Sequence, residues 1–224
     1  MIRVATFNAH HADGHRGHRP LVETCRAFEA DILAVQELDR HTSRTWFRDQ
    51  ARMIGEELGY HCALGPAKNL GFGGRQCNAL FTRGTLHDVD VFELPREQGL
   101  ELRVAVIARV HVHDLEVTAV CTHLQHRPRS LAEVQLAALV ARLDQEPKPR
   151  VLLGDLNLAA EVAVPRLRDA GYTPVAVGFT APRREPHEQI DWIAITDDVR
   201  VDRAWLEEPL VSDHLPVLAE IAAN

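Results

Sequence analysis

The chain is poor in sulfur and in aromatic rings. Among 224 residues there are four cysteines and two methionines, and aromatics make up 5%. Cys25, Cys62, Cys77 and Cys121 are scattered, with no C-x-x-C pair, which argues against a disulfide framework or a thiolate metal cluster. They read as small core residues in a reducing compartment. No apolar run reaches the length of a membrane span, and the first residues carry no leader-like apolar block. A soluble, cytoplasmic protein is expected, and a monomer. A basic excess is also missing. Lys+Arg number 25 against 32 Asp+Glu, a formal charge of −7, whereas a dedicated duplex-DNA binder usually carries a basic stripe. G-x-S-x-G, P-loop and G-x-G-x-x-G motifs do not occur. Repeats, low-complexity tracts and linkers are absent too, so residues 1–224 read as a single domain.

What is present is a series of short apolar strands with a few helices between them. Residues 2–7, 31–37, 78–82, 86–94, 102–112, 115–122, 151–153, 172–177, 190–196, 199–206 and 216–221 have strand character. Helices are expected after Pro20, from Asp39 to Gly59, from Pro128 to Leu143 and from Glu161 to Ala170. In the second of these, Arg40, Arg44, Arg48 and Arg52 recur every four residues, giving a basic stripe on one face. A solvated face is the usual meaning; the sharper one is attraction of an anionic substrate, with Arg44 as a binding residue. Trp46, Met53, Ile54 and Leu58 would be its core contacts. Ser130 and Glu133 have capping-box spacing in the third helix. The segment His10 to His18 is rich in His and Gly; exposed loop histidines are the plain reading and a transition-metal site the sharper one.

Several strands end in polar groups. Asn8 follows the first strand, Gln36-Glu37 the second and Thr122-His123 the one from Leu115. Gly154-Asp155-Leu156-Asn157 follows Val151–Leu153, Asp191 follows Ile190, and Ser212-Asp213-His214 precedes the last strand. In an extended segment Asp155 and Asn157 would point to one side; alone, they could equally be an Asx-type turn. Together the inventory is carboxylates, carboxamides and two histidines. Oxygen ligands of this kind suit magnesium, with manganese a substitute, better than zinc. A hard cation, a base and an imidazole make a hydrolytic phosphoryl-transfer site.

At these positions the chain resembles the endonuclease/exonuclease/phosphatase superfamily of magnesium-dependent phosphoesterases. The matching segments are Thr6-Phe7-Asn8, Gln36-Glu37, Asn78-Ala79-Leu80, Thr122-His123-Leu124, Gly154 to Asn157, Ile190-Asp191-Trp192 and Ser212-Asp213-His214, in the family's order. The resemblance implies an α/β (α+β) four-layer sandwich of two mixed, mostly antiparallel β-sheets flanked by helices. It implies that Glu37 binds the metal, with Asn8 beside it and Asp213 in support. Asp155 would activate the water that attacks a metal-bound phosphate, and Asn157 would position nucleophile and phosphate. His214, held by Asp191, would stabilise or protonate a phosphate oxygen, His123 would hydrogen-bond the phosphate, and Asn78 would touch substrate. The Thr122-His123-Leu124 segment is similar to the sphingomyelinase and inositol-phosphatase side of the family rather than to the abasic-site nucleases. Where relatives often carry Arg before the Ile-Asp pair, this chain has Gln189, with Arg183 and Arg184 upstream either as replacements or as solvated loop residues. The expectation is a hydrolase of a small or lipid-like phosphodiester or phosphomonoester. A DNA or RNA nuclease is the alternative, and a non-catalytic binding module comes third.

Overall fold

The computed structural model describes residues 1–12 and 18–224. The centre of the His-rich segment, with its question of a second metal site, lies outside the described residues. In chain order the elements are β1 (Ile2–Asn8), α1 (His18–Ala27), β2 (Ile32–Arg40), α2 (Gln50–Leu58), β3 (His61–Asn69), β4 (Arg75–Thr82), β5 (Thr85–Glu93) and β6 (Val104–Val112). Then come β7 (Leu115–His123), α3 (Arg129–Leu143), β8 (Arg150–Asp155), α4 (Ala160–Asp169), β9 (Tyr172–Pro174), β10 (Asp191–Thr196), β11 (Val199–Leu206) and β12 (Val217–Ala223). They form two six-stranded mixed sheets, ordered β11-β12-β1-β2-β4-β3 and β5-β6-β7-β8-β10-β9. The expected α/β sandwich of two sheets and flanking helices is the observed one.

Strand parity explains the layers, because successive side chains alternate between the faces of a sheet. Val4, Ile32, Ala34 and Leu80 of the first sheet meet Val106, Ala119, Cys121, Val151, Leu153 and Ile193 of the second in the middle core. The opposite parity, Ala5, Phe7, Leu33, Val35 and Phe81, packs outward against Leu21, Cys25 and Phe28 from α1 and its C-terminal extension, and Ile54 from α2. Ala105, Ile107, Val120, Leu152 and Ala194 pack outward against Leu136 and Leu139 of α3 and Leu167 of α4. Each face is apolar, so each must be covered, and four layers result.

Each sheet holds one parallel pair, β1 with β2 and β7 with β8; the other pairings are antiparallel. A parallel pair brings two strand C-termini to the same edge, so the ends of β1, β2, β7 and β8 all open on one end of the sandwich. Gly154 is required by that arrangement: a Cβ there would stand 2.2 Å from the Thr122 carbonyl oxygen on β7. Its job is close strand approach within β8.

The arginine stripe is overturned. β2 runs on to Arg40, a turn at Ser43–Thr45 follows, and α2 starts only at Gln50. Asp49 is its N-cap and accepts a hydrogen bond from the Arg52 amide. Arg40 bonds Asp49 at 2.7 Å, and Arg44 forks onto the buried Asp39 carboxylate at 2.6 and 2.7 Å. The four-residue spacing therefore does not follow a helix. Trp46, a candidate core contact, is exposed, as is Cys62; Ile54 is buried. Residues 61–69, outside the strands expected from the sequence, form β3. Pro128 caps α3 without a side-chain bond, and Glu133 pairs with Arg166 instead of completing a capping box. Among the described residues no helix is long and apolar enough to cross a membrane.

Candidate functional site

The polar groups at the open end are continuations of the middle core. Asn8 follows the parity of Val4, His123 that of Ala119 and Cys121, Asp155 that of Val151 and Leu153. Asp191 shares the face of Ile193, and Asn78 that of Leu80. Where the two sheets part, the inter-sheet face turns from apolar to polar. Asn8, Asn78, His123, Asp155, Asn157 and Asp191 are all buried there.

Glu37 is the exception, and a bulge accounts for it. Val35 and Leu38 both pack outward, while the β2–β4 register shifts between them. The extra residue has φ 60°, a left-handed conformation uncommon for glutamate. Glu37 is thereby turned toward the cleft, where Gln76 donates to its Oε2 at 3.0 Å. Gln36 looks inward and bonds Thr6.

His123 stands between two carboxylates. Its Nδ1 is 3.7 Å from Glu37 Oε1 and its Nε2 is 3.4 Å from Asp155 Oδ2. Burial pushes its pKa well below the ordinary histidine range, helped by the positive charges of Arg103 and His214. The imidazole is neutral.

Asp155 is tied from two directions. Asn8 Nδ2 donates to its Oδ2 at 3.0 Å, and the Asn157 amide donates to its Oδ1 at 2.9 Å. The Asx-type turn and the cleft position are therefore one structure: Oδ1 closes the turn while Oδ2 faces the site. Asn157 does not continue the strand; its φ is 50°. Its side chain donates to the Leu124 carbonyl at 3.1 Å and accepts from His126 Nδ1 at 3.1 Å. Burial and the charge of Asp191 raise the Asp155 carboxyl to about 7, against the opposing effects of His214 and the Asn8 bond.

On the other side Asp191 Oδ2 accepts from His214 Nδ1 at 2.8 Å. Burial resists charging of this ring, but the charge and hydrogen bond of Asp191, with Asp155 and Asp213 behind it, push its pKa up to about 10. The ring is an imidazolium. Ser212, at φ 88°, fixes the approach: its hydroxyl donates to the Asn8 carbonyl at 2.6 Å and accepts from the His214 amide at 3.1 Å. Asp213 sits at the rim, half-exposed, 3.6 Å from His10 Nδ1.

Ligand atoms of Asp155, Asp191 and His214 lie within 4.8 Å of one another. The hydrogen bond from His214 Nδ1 to Asp191 leaves the ring's Nε2 to face an anion in this cluster. The Glu37 side, with its neutral imidazole and oxygen donors, is the better fit for a hard cation. Asp191 Oδ1 is buried without a hydrogen-bond partner, a further sign that the site is completed by something bound.

Nine of the ten residues singled out from sequence thus lie at one end of the sandwich on the cleft or its rim. Asn78 does so while donating to the Val104 carbonyl at 3.0 Å, and Arg44, forked onto Asp39, is near enough to Glu37 to feel its charge. Gln76 and His126, which orient Glu37 and Asn157, were not anticipated. His126 falls three residues after His123 on the same strand exit, the one signal that could have marked it.

The fold recurs in solved structures. An endonuclease/exonuclease/phosphatase from Beutenbergia cavernae superposes with TM-score 0.80 at 22% identity, covering 100% of this chain and 72% of that one. A mannosyl-6-phosphatase from Bacteroides thetaiotaomicron gives 0.80 at 16% identity, with 99% and 100% covered. D. rerio TDP2, complexed with a single-strand DNA product, gives 0.76 at 16% identity, with 99% of both chains covered. No curated protein sequence matches. The family model described as the Endonuclease/Exonuclease/phosphatase family matches residues 5–214, and the chain belongs to that family.

Proposed function

We propose that this protein is a metal-dependent hydrolase of phosphate esters, acting on a small or lipid-like phosphodiester or phosphomonoester. The observation that carries the reading is the convergence on one cleft of the buried Asp155 carboxylate, the hydrogen-bonded Asp191–His214 pair, and His123 between Asp155 and Glu37. A base with a pKa near the working pH combines a useful ionised fraction with a real affinity for a proton. Asp155 takes a proton from the attacking water. Asn157, locked by Leu124 and His126, holds the second amide hydrogen toward the phosphate. The His214 imidazolium lies against a non-bridging oxygen, where negative charge grows in the transition state. Asp191 keeps that ring oriented and charged.

The residues fit a divalent cation: the donors are carboxylate and carboxamide oxygens, with no thiolate in the cleft. Glu37 and Asn8 would hold it, with Asp213 in support. Magnesium or manganese would there neutralise phosphate charge and act as a Lewis acid. The negative net charge and the pairing of Arg40 and Arg44 within the chain speak for a compact ester rather than a long polyanion.

A panel of sugar phosphates, lipid phosphodiesters and single-stranded DNA, assayed with magnesium and with manganese, tests this. Turnover is expected on small or lipid-like esters. Cleavage of DNA alone would establish the nuclease reading instead, and inertness toward every ester would leave a binding module.

A further inference from the structure

Among the described residues four aromatic side chains stand mostly in solvent: Trp46, Phe47, Phe72 and Phe179. All four lie in loops at the open end of the sandwich. Trp46 and Phe47 follow the end of β2. Phe72 is at the tip of the β3–β4 hairpin, which reaches the same end because Arg75 of β4 pairs with Arg40 of β2. Phe179 comes from the other side of the cleft, next to Thr180, whose hydroxyl accepts from the Asp191 amide at 3.2 Å.

The first three belong to two loops that touch. Gly74 packs against the segment leading to Trp46 and Phe47, so closely that a Cβ on it would stand 2.8 Å from the His41 carbonyl oxygen. The Phe47 amide in turn donates to the Thr42 carbonyl at 2.8 Å. Trp46, Phe47 and Phe72 have φ of 52°, 57° and 48°, the left-handed region that bulky residues seldom adopt. For Phe72, set between Gly71 and Gly73 and fully exposed, no packing of the ring offsets that conformational cost. Apolar side chains gathered in solvent in this way mark an interaction surface.

Charge identifies the partner. Residues 41–48 and 66–76 contain Arg44, Arg48, Lys68 and Arg75 and not one carboxylate, in a chain of formal charge −7. Arg44 and Lys68 are paired, with Asp39 and Glu101. Arg48 and Arg75 are exposed and form no ion pair among the described residues. Aromatic rings beside arginines suit the headgroup layer of an anionic bilayer, where the ring finds apolar depth and the cation finds phosphate.

We propose that the open end of the sandwich docks on a phospholipid bilayer. Trp46, Phe47 and Phe72 enter the headgroup layer, and Arg48 and Arg75 face anionic lipid. The cleft mouth is then turned toward the membrane, and its ester is one presented at a lipid surface. This deepens, and rests on, the phosphate-ester reading of the cleft.

Co-sedimentation in magnesium tests it, with vesicles of phosphatidylcholine alone and of equal parts phosphatidylcholine and phosphatidylglycerol. The wild-type chain should bind the mixed vesicles more tightly than the neutral ones, with a blue shift in tryptophan emission as Trp46 leaves water. Phe47→Asn combined with Phe72→Asn keeps residues that tolerate the left-handed backbone. It should weaken binding to both vesicles by roughly tenfold or more, the burial of two rings being lost. Its thermal midpoint and its hydrolysis of water-soluble p-nitrophenyl phosphate esters should match the wild type. Arg48→Gln with Arg75→Gln should cost severalfold on the mixed vesicles alone. A wild-type chain that ignores the mixed vesicles overturns the proposal, as does an asparagine variant that binds them equally well. So does a wild type that binds single-stranded oligothymidine in place of vesicles, since the rings would then stack on bases. Failure of the wild type to hydrolyse any soluble ester would instead strike at the phosphate-ester reading, whatever the vesicles show.

Discussion

Two histidines face one cleft and carry opposite charge states. His123 lies among carboxylates 3.4 and 3.7 Å away, yet burial and nearby cations keep it neutral. His214 has one carboxylate at 2.8 Å in a hydrogen bond, and that contact holds it protonated to about pH 10. The difference lies in geometry more than in the number of acids. A short, aligned bond favours the imidazolium, while looser contacts do not offset desolvation. The cleft thus has a neutral side suited to a cation and a charged side suited to an anion, with Asp155 between them.

Asp155→Asn should have the largest effect, because both sides of the cleft meet at that carboxylate. Its loss as general base should lower kcat by about 10²–10⁴; a loss below tenfold in steady-state assays would contradict the assignment. His214→Gln removes the charged side alone and should cost about 10²–10³ in kcat with KM little changed. The same pair has a signature in stability. The folded pKa of His214 is about 10 against roughly 6.5 for an unfolded histidine. Its contribution is complete below about pH 6.5 and is lost as pH rises through about 10. The metal-free wild type should therefore lose thermal midpoint steadily over that interval, and His214→Gln should flatten the curve. If the two curves run parallel, His214 is not charged in the fold.

Glu37→Gln probes the neutral side. Magnesium affinity measured by calorimetry should fall by roughly tenfold or more, since even outer partners of metal ligands are worth that much. Unchanged affinity would remove Glu37 from the metal site. The smallest effect is expected for His123→Gln, which keeps a neutral donor; a severalfold drop in kcat suits the contrast drawn here. A loss as large as that of His214→Gln would erase it.

Much of this cleft was legible in the sequence for a simple reason. Asn8, His123, Asp155 and Asp191 continue the two-residue alternation of strands whose apolar members build the middle core. Strand periodicity and site chemistry are the same pattern there. The motif order then supplied the family and with it the pairing of sheets. Alternation alone failed where backbone irregularity intervened, and there the motif had to stand in for it. Glu37 reaches the cleft through a bulge that no alternation announces. The arginines from Arg40 to Arg52 looked helical because a four-residue spacing fits a helix, but the buried Asp39 and the Asp49 cap divide the segment into strand end, turn and helix.

The sheet order has a consequence for how the cleft comes into being. All strands of the second sheet lie in one uninterrupted stretch, from β5 to β10, whereas the first sheet is built from both ends of the chain. β12 inserts beside β1, and the loop leading into it carries Ser212, Asp213 and His214. As the chain leaves the ribosome, His123, Asp155 and Asp191 can be set in place on a finished sheet while the first still has an open edge at β1. The charged side of the cleft is therefore completed only when β12 docks beside β1.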